Sequence, residues 1–165
     1  MAVREVLIHP NAMLKQVAKP CERVDASILS LVQDLSDTMA PHERCVGLSA
    51  PQIGVLERVV IVNVEGHPKS TESHGLLTLI DPVINTHSGS ELGREGCLSI
   101  PSLTVDVIRW QQIELRALGI DGEEMTFDTS GFEARVIQHE IDHLDGLLIL
   151  DRAASPAEVF RRRLS

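Results

Sequence analysis

Residues 131–146 read GFEARVIQHEIDHLDG, and this stretch decides the fold. Its apolar residues recur three and four positions apart, which is the period of one face of an α-helix. The spacing predicts a helix over residues 132–144 that Ser130 or Gly131 opens, and Gly146 is a typical residue just beyond a helix end. We therefore expect the fold to be organised around this helix.

The same helix carries the pattern HExxH, formed by His139, Glu140 and His143. Residues four apart share a helix face, so both imidazoles can bind one metal ion, and Glu140 can reach a water on that ion. Zinc-dependent peptidases use this arrangement. The alternative is a solvated helix face that happens to carry two histidines, and the motif alone leaves the two interpretations evenly balanced.

A catalytic metal needs a third protein ligand and an open coordination position. The best candidate is Cys97 in the segment GREGCLSIP, because its neighbours are small and a thiolate binds borderline metals well. The alternative is that Cys97 is a small buried hydrophobic residue, which is the commoner role of a free cysteine. The spacing between Cys97 and the two histidines cannot decide between them.

The rest of the chain predicts one further helix and several strands. Asp25 is a typical N-cap, and the apolar period after it predicts a helix over residues 26–39, which Pro41 ends. Segments rich in β-branched residues predict strands at 58–64, 76–84, 103–107, 112–117 and around Met125. Asp81 and Pro82 interrupt the second of these, which indicates an edge strand or a new start.

These elements predict the α+β fold class, with antiparallel β-sheets packed around a central helix that carries HExxH. The length predicts a single domain over residues 1–165.

Composition excludes several classes of function. The chain has a net charge of −9, 2% aromatic residues and no tyrosine, so neither sequence-specific nucleic acid nor a membrane is expected as partner. No run is long enough to span a membrane and residues 1–11 lack the pattern of a signal peptide, so we expect a cytoplasmic location. Three cysteines at unrelated spacings do not form a disulfide framework.

Three segments resemble, in order, the motifs of the peptide deformylase family: CVGLSAPQ at 45–52, EGCLS at 95–99 and QHEIDHLDG at 138–146. The match runs from LIHPNAMLKQVAKP at 7–20 to LILDR at 148–152, and the three motifs together are far more specific than any one singly. The resemblance implies a metal-dependent hydrolase that removes the N-formyl group from the formylmethionine of newly made polypeptides and releases formate.

Carried over by residue, the resemblance implies metal ligands at Cys97, His139 and His143, with Glu140 as general acid and base beside a metal-bound water. Fe²⁺ is the expected metal, and Zn²⁺, Ni²⁺ or Co²⁺ can occupy the same ligands.

The resemblance also implies how an N-formylmethionyl peptide would be held. Gln52 and the backbone N–H of Leu98 would stabilise the oxyanion that forms when water attacks the formyl carbon. Gly47 and its neighbours would offer a strand-like edge to the peptide. The expected substrate-binding residues are Val46, Gly47, Leu48 and Gly96.

Two positions depart from the family pattern. Cys45 replaces the first glycine of the opening motif, which we interpret as tolerated variation rather than a redox role. Thr104 stands where many bacterial members have an arginine near the substrate, whereas Arg109 falls where the family usually keeps one.

Two alternative functions keep the metal site. One is a deformylase-like amide hydrolase that acts on a different N-acyl substrate, and Thr104 is its only support. The other is a non-catalytic metal-binding relative, but a purely structural site needs neither Glu140 nor Gln52.

The basic segment Arg161-Arg162-Arg163 also has two interpretations. The favoured one is a solvated, frayed terminus, and the other is a contact with ribosomal RNA through its phosphates.

Overall fold

The computed structural model describes residues 2–162, which form two helices and eight strands. The helices are α1 Ala26–Met39 and α2 Gly131–Leu144. The strands are β1 Gly47–Ser49, β2 Val59–Val62, β3 Leu77–Ser88, β4 Glu91–Cys97, β5 Ile100–Arg109, β6 Gln112–Leu118, β7 Glu124–Ser130 and β8 Val159–Arg161. Short 3₁₀ turns lie at Ala12–Lys15, Ala50–Ile53, Ile149–Arg152 and Pro156–Glu158.

The strands pair antiparallel in two sheets. Five strands follow the order β1-β2-β3-β6-β7, and three follow the order β4-β5-β8. Helix α2 packs on the five-stranded sheet and reaches the other sheet through polar contacts from its opposite side. The predicted α+β class, with antiparallel sheets around the HExxH helix, is therefore confirmed.

Strand β2 is buried on both faces because one helix packs against each face. Val60 and Val62 join the core beneath α2, while Val59 and Ile61 join the core beneath α1. Successive side chains of a strand point to opposite faces, so one short apolar strand can anchor a helix on each side. Neither helix within the described part of the chain is long and apolar enough to cross a membrane.

Both helix predictions are confirmed. Helix α1 has the predicted bounds, and the Asp25 carboxylate accepts a hydrogen bond of 3.0 Å from the backbone N–H of Ile28. Helix α2 begins one residue earlier than predicted. Beyond its end, Gly146 has φ = 73°, and a Cβ there would lie 2.6 Å from the carbonyl oxygen of Lys15. Glycine is needed at this stop for both reasons.

The prediction for the segment around Pro82 was wrong. Strand β3 lies at the centre of its sheet and continues through Asp81 and Pro82. A register shift between Ile80 and Val83 takes Pro82 out of the ladder, and Asp81 adopts φ = 52°. The Asp81 carboxylate accepts hydrogen bonds of 2.8 Å from the backbone N–H groups of residues 21 and 22, so the irregularity is held by distant chain.

The favoured prediction of a frayed terminus was wrong for Arg161 and Arg162. Strand β8 pairs with β5, and the N–H of Arg162 donates to the carbonyl of Ser102 at 2.9 Å. Residues 159–161 therefore form a strand, and Arg162 is hydrogen-bonded to the same sheet and is not frayed, while Arg163 lies outside the described residues.

Candidate active site

The end of strand β4 meets one face of helix α2 in a cluster of metal-binding side chains. The Sγ atom of Cys97 and ring nitrogens of His139 and His143 all lie within 4.8 Å of one another, and the three residues are buried. Sγ of Cys97 is 3.3 Å from Nε2 of His143. The helix aligns the two histidines because they are four residues apart, and the sheet brings in the cysteine.

The electrostatics of the cluster favour the thiolate form of Cys97. Burial would raise the pKa of this thiol, but the charge of His143 and hydrogen bonds to both histidines hold that pKa well below its ordinary value. Burial likewise opposes protonation of His139, yet its hydrogen bond with Cys97 and the charge of Glu140 raise its pKa well above the ordinary value. A thiolate is the form of cysteine that binds metal ions.

Glu140 lies beside the cluster, and its carboxylate can still accept a hydrogen bond. Its Oε2 atom is 4.0 Å from Nε2 of His139. Its Oε1 atom is buried and has no hydrogen-bond partner among residues 2–162. Burial raises the pKa of this carboxyl, and the charges of His139 and His143 only partly oppose the rise. A carboxyl group with a raised pKa is suited to accept and return a proton.

These observations fit a divalent metal of borderline softness. Two imidazoles and one thiolate form a donor set that suits Fe²⁺, Zn²⁺, Ni²⁺ or Co²⁺ better than Mg²⁺ or Ca²⁺. Three protein donors would leave one position of a four-coordinate ion open, as catalytic sites require, and a Glu140 oxygen without a partner among residues 2–162 belongs to the residue that follows His139.

Strand β1 closes directly over Glu140. A Cβ placed on Gly47 would lie 2.7 Å from Oε2 of Glu140 and 3.0 Å from a methyl group of Val136. Any larger residue would displace the carboxylate, so the glycine is required by packing. The same strand is an edge of the five-stranded sheet, so no strand within residues 2–162 pairs with one side of its backbone.

Gln52 is held in one orientation by its neighbours. Its Oε1 atom accepts hydrogen bonds from the backbone N–H and the hydroxyl of Ser49, at 3.0 and 2.9 Å. Its Nε2 atom therefore faces the cluster, 3.1 Å from the Ser99 hydroxyl and 3.6 Å from Sγ of Cys97. This amide is a pre-positioned donor next to the thiolate.

The buried carboxylate of Glu95 contacts His139 and orients its ring. The sequence analysis did not assign Glu95 to the site. Oε1 of Glu95 is 2.9 Å from Nδ1 of His139, which favours the tautomer with hydrogen on Nδ1 and leaves Nε2 free as a ligand. Glu95 also accepts hydrogen bonds of 2.9 Å from Nε and Nη2 of Arg109 and of 2.7 Å from Nη1 of Arg135.

The ionisation of this network follows from its contacts. Burial would raise the pKa of Glu95, but hydrogen bonds from His139 and Arg109 outweigh it and lower that pKa far below its ordinary value. Arg109 is 5% exposed and also pairs with Asp142 on α2. Arg109 therefore belongs to the support of the histidine and does not line the cleft. The sequence signal was Glu95 itself, which stands inside the quoted EGCLS segment.

The cluster opens into a cleft of about 780 Å³ between strand β1, strand β4 and helix α2. It brings together most of the residues that the sequence singled out: Val46, Gly47, Gln52, Gly96, Cys97, Leu98, His139 and Glu140. The side chain of Leu48 is instead buried in the core beneath α1, so only its backbone could meet a peptide. His143 is 1% exposed and does not line the cleft.

Cys45 and Thr104, the two residues that depart from the family pattern, both line the cleft. The Cys45 thiol donates a hydrogen bond of 3.1 Å to the carbonyl of Gly47. Burial, followed by the charge of Glu140, raises the pKa of Cys45 to about 12, which disfavours the reactive thiolate. Thr104 lies on strand β5 opposite Gly96 and offers no charge there.

Comparison with known proteins agrees with this geometry. The family model described as polypeptide deformylase matches residues 3–159. Peptide deformylase 1 of Prochlorococcus marinus is 46% identical over 163 residues, covering 95% of this chain and 84% of the relative. The crystal structure of a peptide deformylase from Legionella pneumophila has a TM-score of 0.84 at 36% identity, covering 95% of this chain and 89% of that chain.

A third similar protein is a class I type b peptide deformylase from Acinetobacter baumannii, whose crystal structure holds Met-Ala-Ser. It has a TM-score of 0.84 at 31% identity and covers 92% of this chain and 99% of that chain. With a family match over nearly the whole sequence and a cysteine, two histidines and a glutamate gathered in one cleft, the chain belongs to the polypeptide deformylase family of metal-dependent hydrolases.

Proposed function

We propose that this protein hydrolyses the formamide bond of N-formylmethionyl peptides and releases formate and a free amine. The observation that carries the proposal is the cluster of Cys97, His139 and His143 with the unpaired Glu140 carboxylate beside it in the cleft. Metal ligands, a proton acceptor and a pre-positioned donor are the groups that amide hydrolysis requires.

Cys97, His139 and His143 would hold one divalent metal. When bound, such an ion lowers the pKa of water and polarises a carbonyl oxygen. We propose Fe²⁺ as the resident ion, with Zn²⁺, Ni²⁺ or Co²⁺ as substitutes, because all four accept this donor set.

Glu140 is the proton carrier of the proposed reaction. Its carboxylate takes a proton from the attacking water and then delivers it to the nitrogen of the leaving amine. Burial raises the pKa of this carboxyl, which makes it a better proton acceptor from the attacking water than an ordinary glutamate. Gly47 keeps the carboxylate in place because it leaves no space for movement on that side.

Gln52 and the backbone N–H of Leu98 would stabilise the negative charge that develops on the formyl oxygen. The Gln52 amide does not need to rotate when this charge forms, since Ser49 already fixes its oxygen. Donors that are aligned before the reaction cost no reorganisation at the transition state.

The peptide would lie along the free edge of β1, with Val46, Gly47 and the backbone of Leu48 on one side and Gly96 on the other. An edge strand can pair with an extended peptide through main-chain hydrogen bonds, which accept many sequences. The Met-Ala-Ser of the Acinetobacter enzyme begins with methionine, and a substrate that begins with formylmethionine agrees with it.

The proposed substrate has consequences for location and partners. Formylated chains emerge from ribosomes, so the proposed enzyme acts in the cytoplasm. Contact of the basic segment with ribosomal RNA stays a prediction. We also propose that residues 1–165 act as one catalytic domain, because α2 and both sheets contribute to the cleft.

The test is formate release from formyl-Met-Ala by protein purified without oxygen and loaded with iron, compared with acetyl-Met-Ala. The proposal expects rapid release from the formyl peptide and little hydrolysis of the acetyl peptide. Equal hydrolysis of both peptides would favour a broader N-acyl hydrolase, and no hydrolysis by a metal-loaded protein would favour a non-catalytic relative.

A further inference from the structure

Arg162 lies on the wall of the cleft, next to the candidate metal ligands. Its backbone is fixed beside strand β5 by the hydrogen bond to the carbonyl of Ser102. Its guanidinium crosses the surface of Gly96, where a Cβ would lie only 2.1 Å from Nη2 of Arg162. Gly96 directly precedes Cys97, and Arg162, Gly96 and Cys97 all line the same cleft, so this positive charge faces the space into which the candidate metal ligands open.

Most N–H donors of the Arg162 guanidinium have no acceptor among residues 2–162. Its one side-chain hydrogen bond to any of residues 2–162 is a long contact of 3.5 Å from Nη2 to the carbonyl of Leu103. Two other arginines of the cleft are engaged, since Arg94 pairs with Asp106 and Arg135 pairs with Glu95. An arginine carries five N–H donors, so most of those on Arg162 remain open to a ligand in the cleft.

The direction of the peptide brings its downstream residues to this wall. With the formyl group at the cluster and an extended chain along β1, each residue advances by about 3.3 Å. The second and third residues would therefore lie roughly 5 to 10 Å from the cluster. A side chain that points from them toward Gly96 would meet the Arg162 guanidinium.

We propose that Arg162 is a specificity residue that binds a carboxylate on the second or third residue of the formyl peptide. The inference rests on the proposed function, because it assumes a peptide in the cleft. Arginine suits this role because its planar guanidinium can donate two parallel hydrogen bonds to a carboxylate. A carboxylate could come from an acidic side chain or from the C-terminus of a very short peptide, and the test separates them.

Strand β8 supplies a matched control residue. Arg161 carries the same charge but does not line the cleft, as expected from the alternation of side chains along a strand. Changing Arg161 or Arg162 to alanine removes one positive charge in each case. Any effect of net charge alone would appear in both variants.

The experiment measures kcat/KM for metal-loaded enzyme with amidated formyl peptides. Formyl-Met-Asp-Ala and formyl-Met-Ala-Asp are each compared with the peptide that has Asn in place of Asp. We expect wild type and Arg161→Ala to favour one Asp peptide by about fivefold through a lower KM, the upper range for a partly exposed ion pair. Arg162→Ala should lose this preference, and Arg162→Glu should favour a Lys peptide instead.

Two further arms complete the test. Formyl-Met-Ala-Asn is assayed as free acid and as amide. A preference for the free acid that Arg162→Ala loses, without any preference for the Asp amides, would show that Arg162 binds the terminal carboxylate of a short peptide and not an acidic side chain. Calorimetric binding of Met-Asp-Ala and Met-Ala-Asp amides, against their Asn counterparts, to wild type and to the Arg162 variants gives a readout that does not depend on turnover. Far-UV circular dichroism and the urea midpoint check that the variants fold.

Equal discrimination by wild type and Arg162→Ala, in kinetics and in binding, would overturn the inference while leaving the proposed function intact. Absence of formate from every formyl peptide would instead refute the proposed function, and the calorimetric comparison would still decide the role of Arg162.

Discussion

Replacement of Glu95 by glutamine should weaken both the fold and metal binding. The Glu95 carboxylate is 7% exposed and contacts Nε and Nη2 of Arg109, Nη1 of Arg135 and Nδ1 of His139. Glutamine has nearly the same shape, but it carries no charge and presents an NH₂ group to at least one of these donors. The change therefore leaves buried cationic groups without their partner.

The magnitude follows from the burial of the partners. Breaking a buried ion pair by removal of one member destabilises a protein by about 3–5 kcal/mol. We expect roughly 3 kcal/mol here, the lower end, because Arg109 keeps Asp142 and glutamine keeps one acceptor oxygen. Loss of the carboxylate behind a metal-binding histidine typically lowers metal affinity by about 10- to 100-fold.

The assay separates the two effects. Urea unfolding at pH 7 with excess chelator gives the free energy of unfolding of the metal-free protein, and competition with a chromogenic chelator gives the affinity for Zn²⁺ or Co²⁺. The matched control is Glu91→Gln, because Glu91 is exposed on the same strand and the charge change is identical. If Glu95→Gln matched this control in both measurements, the account of the buried network would be refuted.

Three further predictions concern the pH dependence of the Glu95 network, the metal ligand Cys97 and the metal itself. The folded-state pKa of Glu95 lies below the unfolded value of about 4.3, so its stabilising effect is complete above that pH and is lost as pH falls toward the folded pKa. The hydrogen bond to Glu95 also helps to raise the pKa of His139, so the difference in unfolding free energy between wild type and Glu95→Gln should level off only below about pH 6. From there it should stay level to about pH 5 and shrink below about pH 4, and a difference that grew below about pH 4 would contradict this sign. Cys97→Ser should bind metal far more weakly because a hydroxyl is a harder and less acidic ligand, and stoichiometric metal in the purified variant by elemental analysis would remove Cys97 from the ligand set. Iron-loaded enzyme should lose activity in air faster than nickel- or cobalt-loaded enzyme, and equal half-lives would count against iron oxidation as the cause.

Features that depend on local sequence were predicted well. Helix α2 and the alignment of His139 with His143 follow from a three- and four-residue period that needs no tertiary information. The same holds for α1, because its N-cap Asp25 accepts a hydrogen bond from an N–H group only three residues further along the chain. The family resemblance, rather than any spacing, singled out Cys97 from the other cysteines.

Features that depend on distant chain were missed. The bulge of β3 is held by N–H groups about sixty residues earlier in the chain, so Pro82 looked like an edge signal. Strands β4 and β8 were not predicted, because β8 is only three residues long and β4 contains two glycines, which weaken the strand pattern. Strand β1 was expected only through the family resemblance, as a strand-like edge at Gly47, since its three residues carry no pattern of their own. The Glu95 network joins β4, β5 and α2, and no periodicity connects residues on three separate elements.

The most direct test of the central claim compares wild type with Glu140→Gln at equal metal content. The claim is that Cys97, His139 and His143 bind the metal and that Glu140 carries the proton when the formyl group is hydrolysed. Formate release from formyl-Met-Ala should then fall by about 10²- to 10⁴-fold in Glu140→Gln, while elemental analysis finds the same metal stoichiometry in both proteins. Undiminished formate release from the metal-loaded variant would contradict the claim.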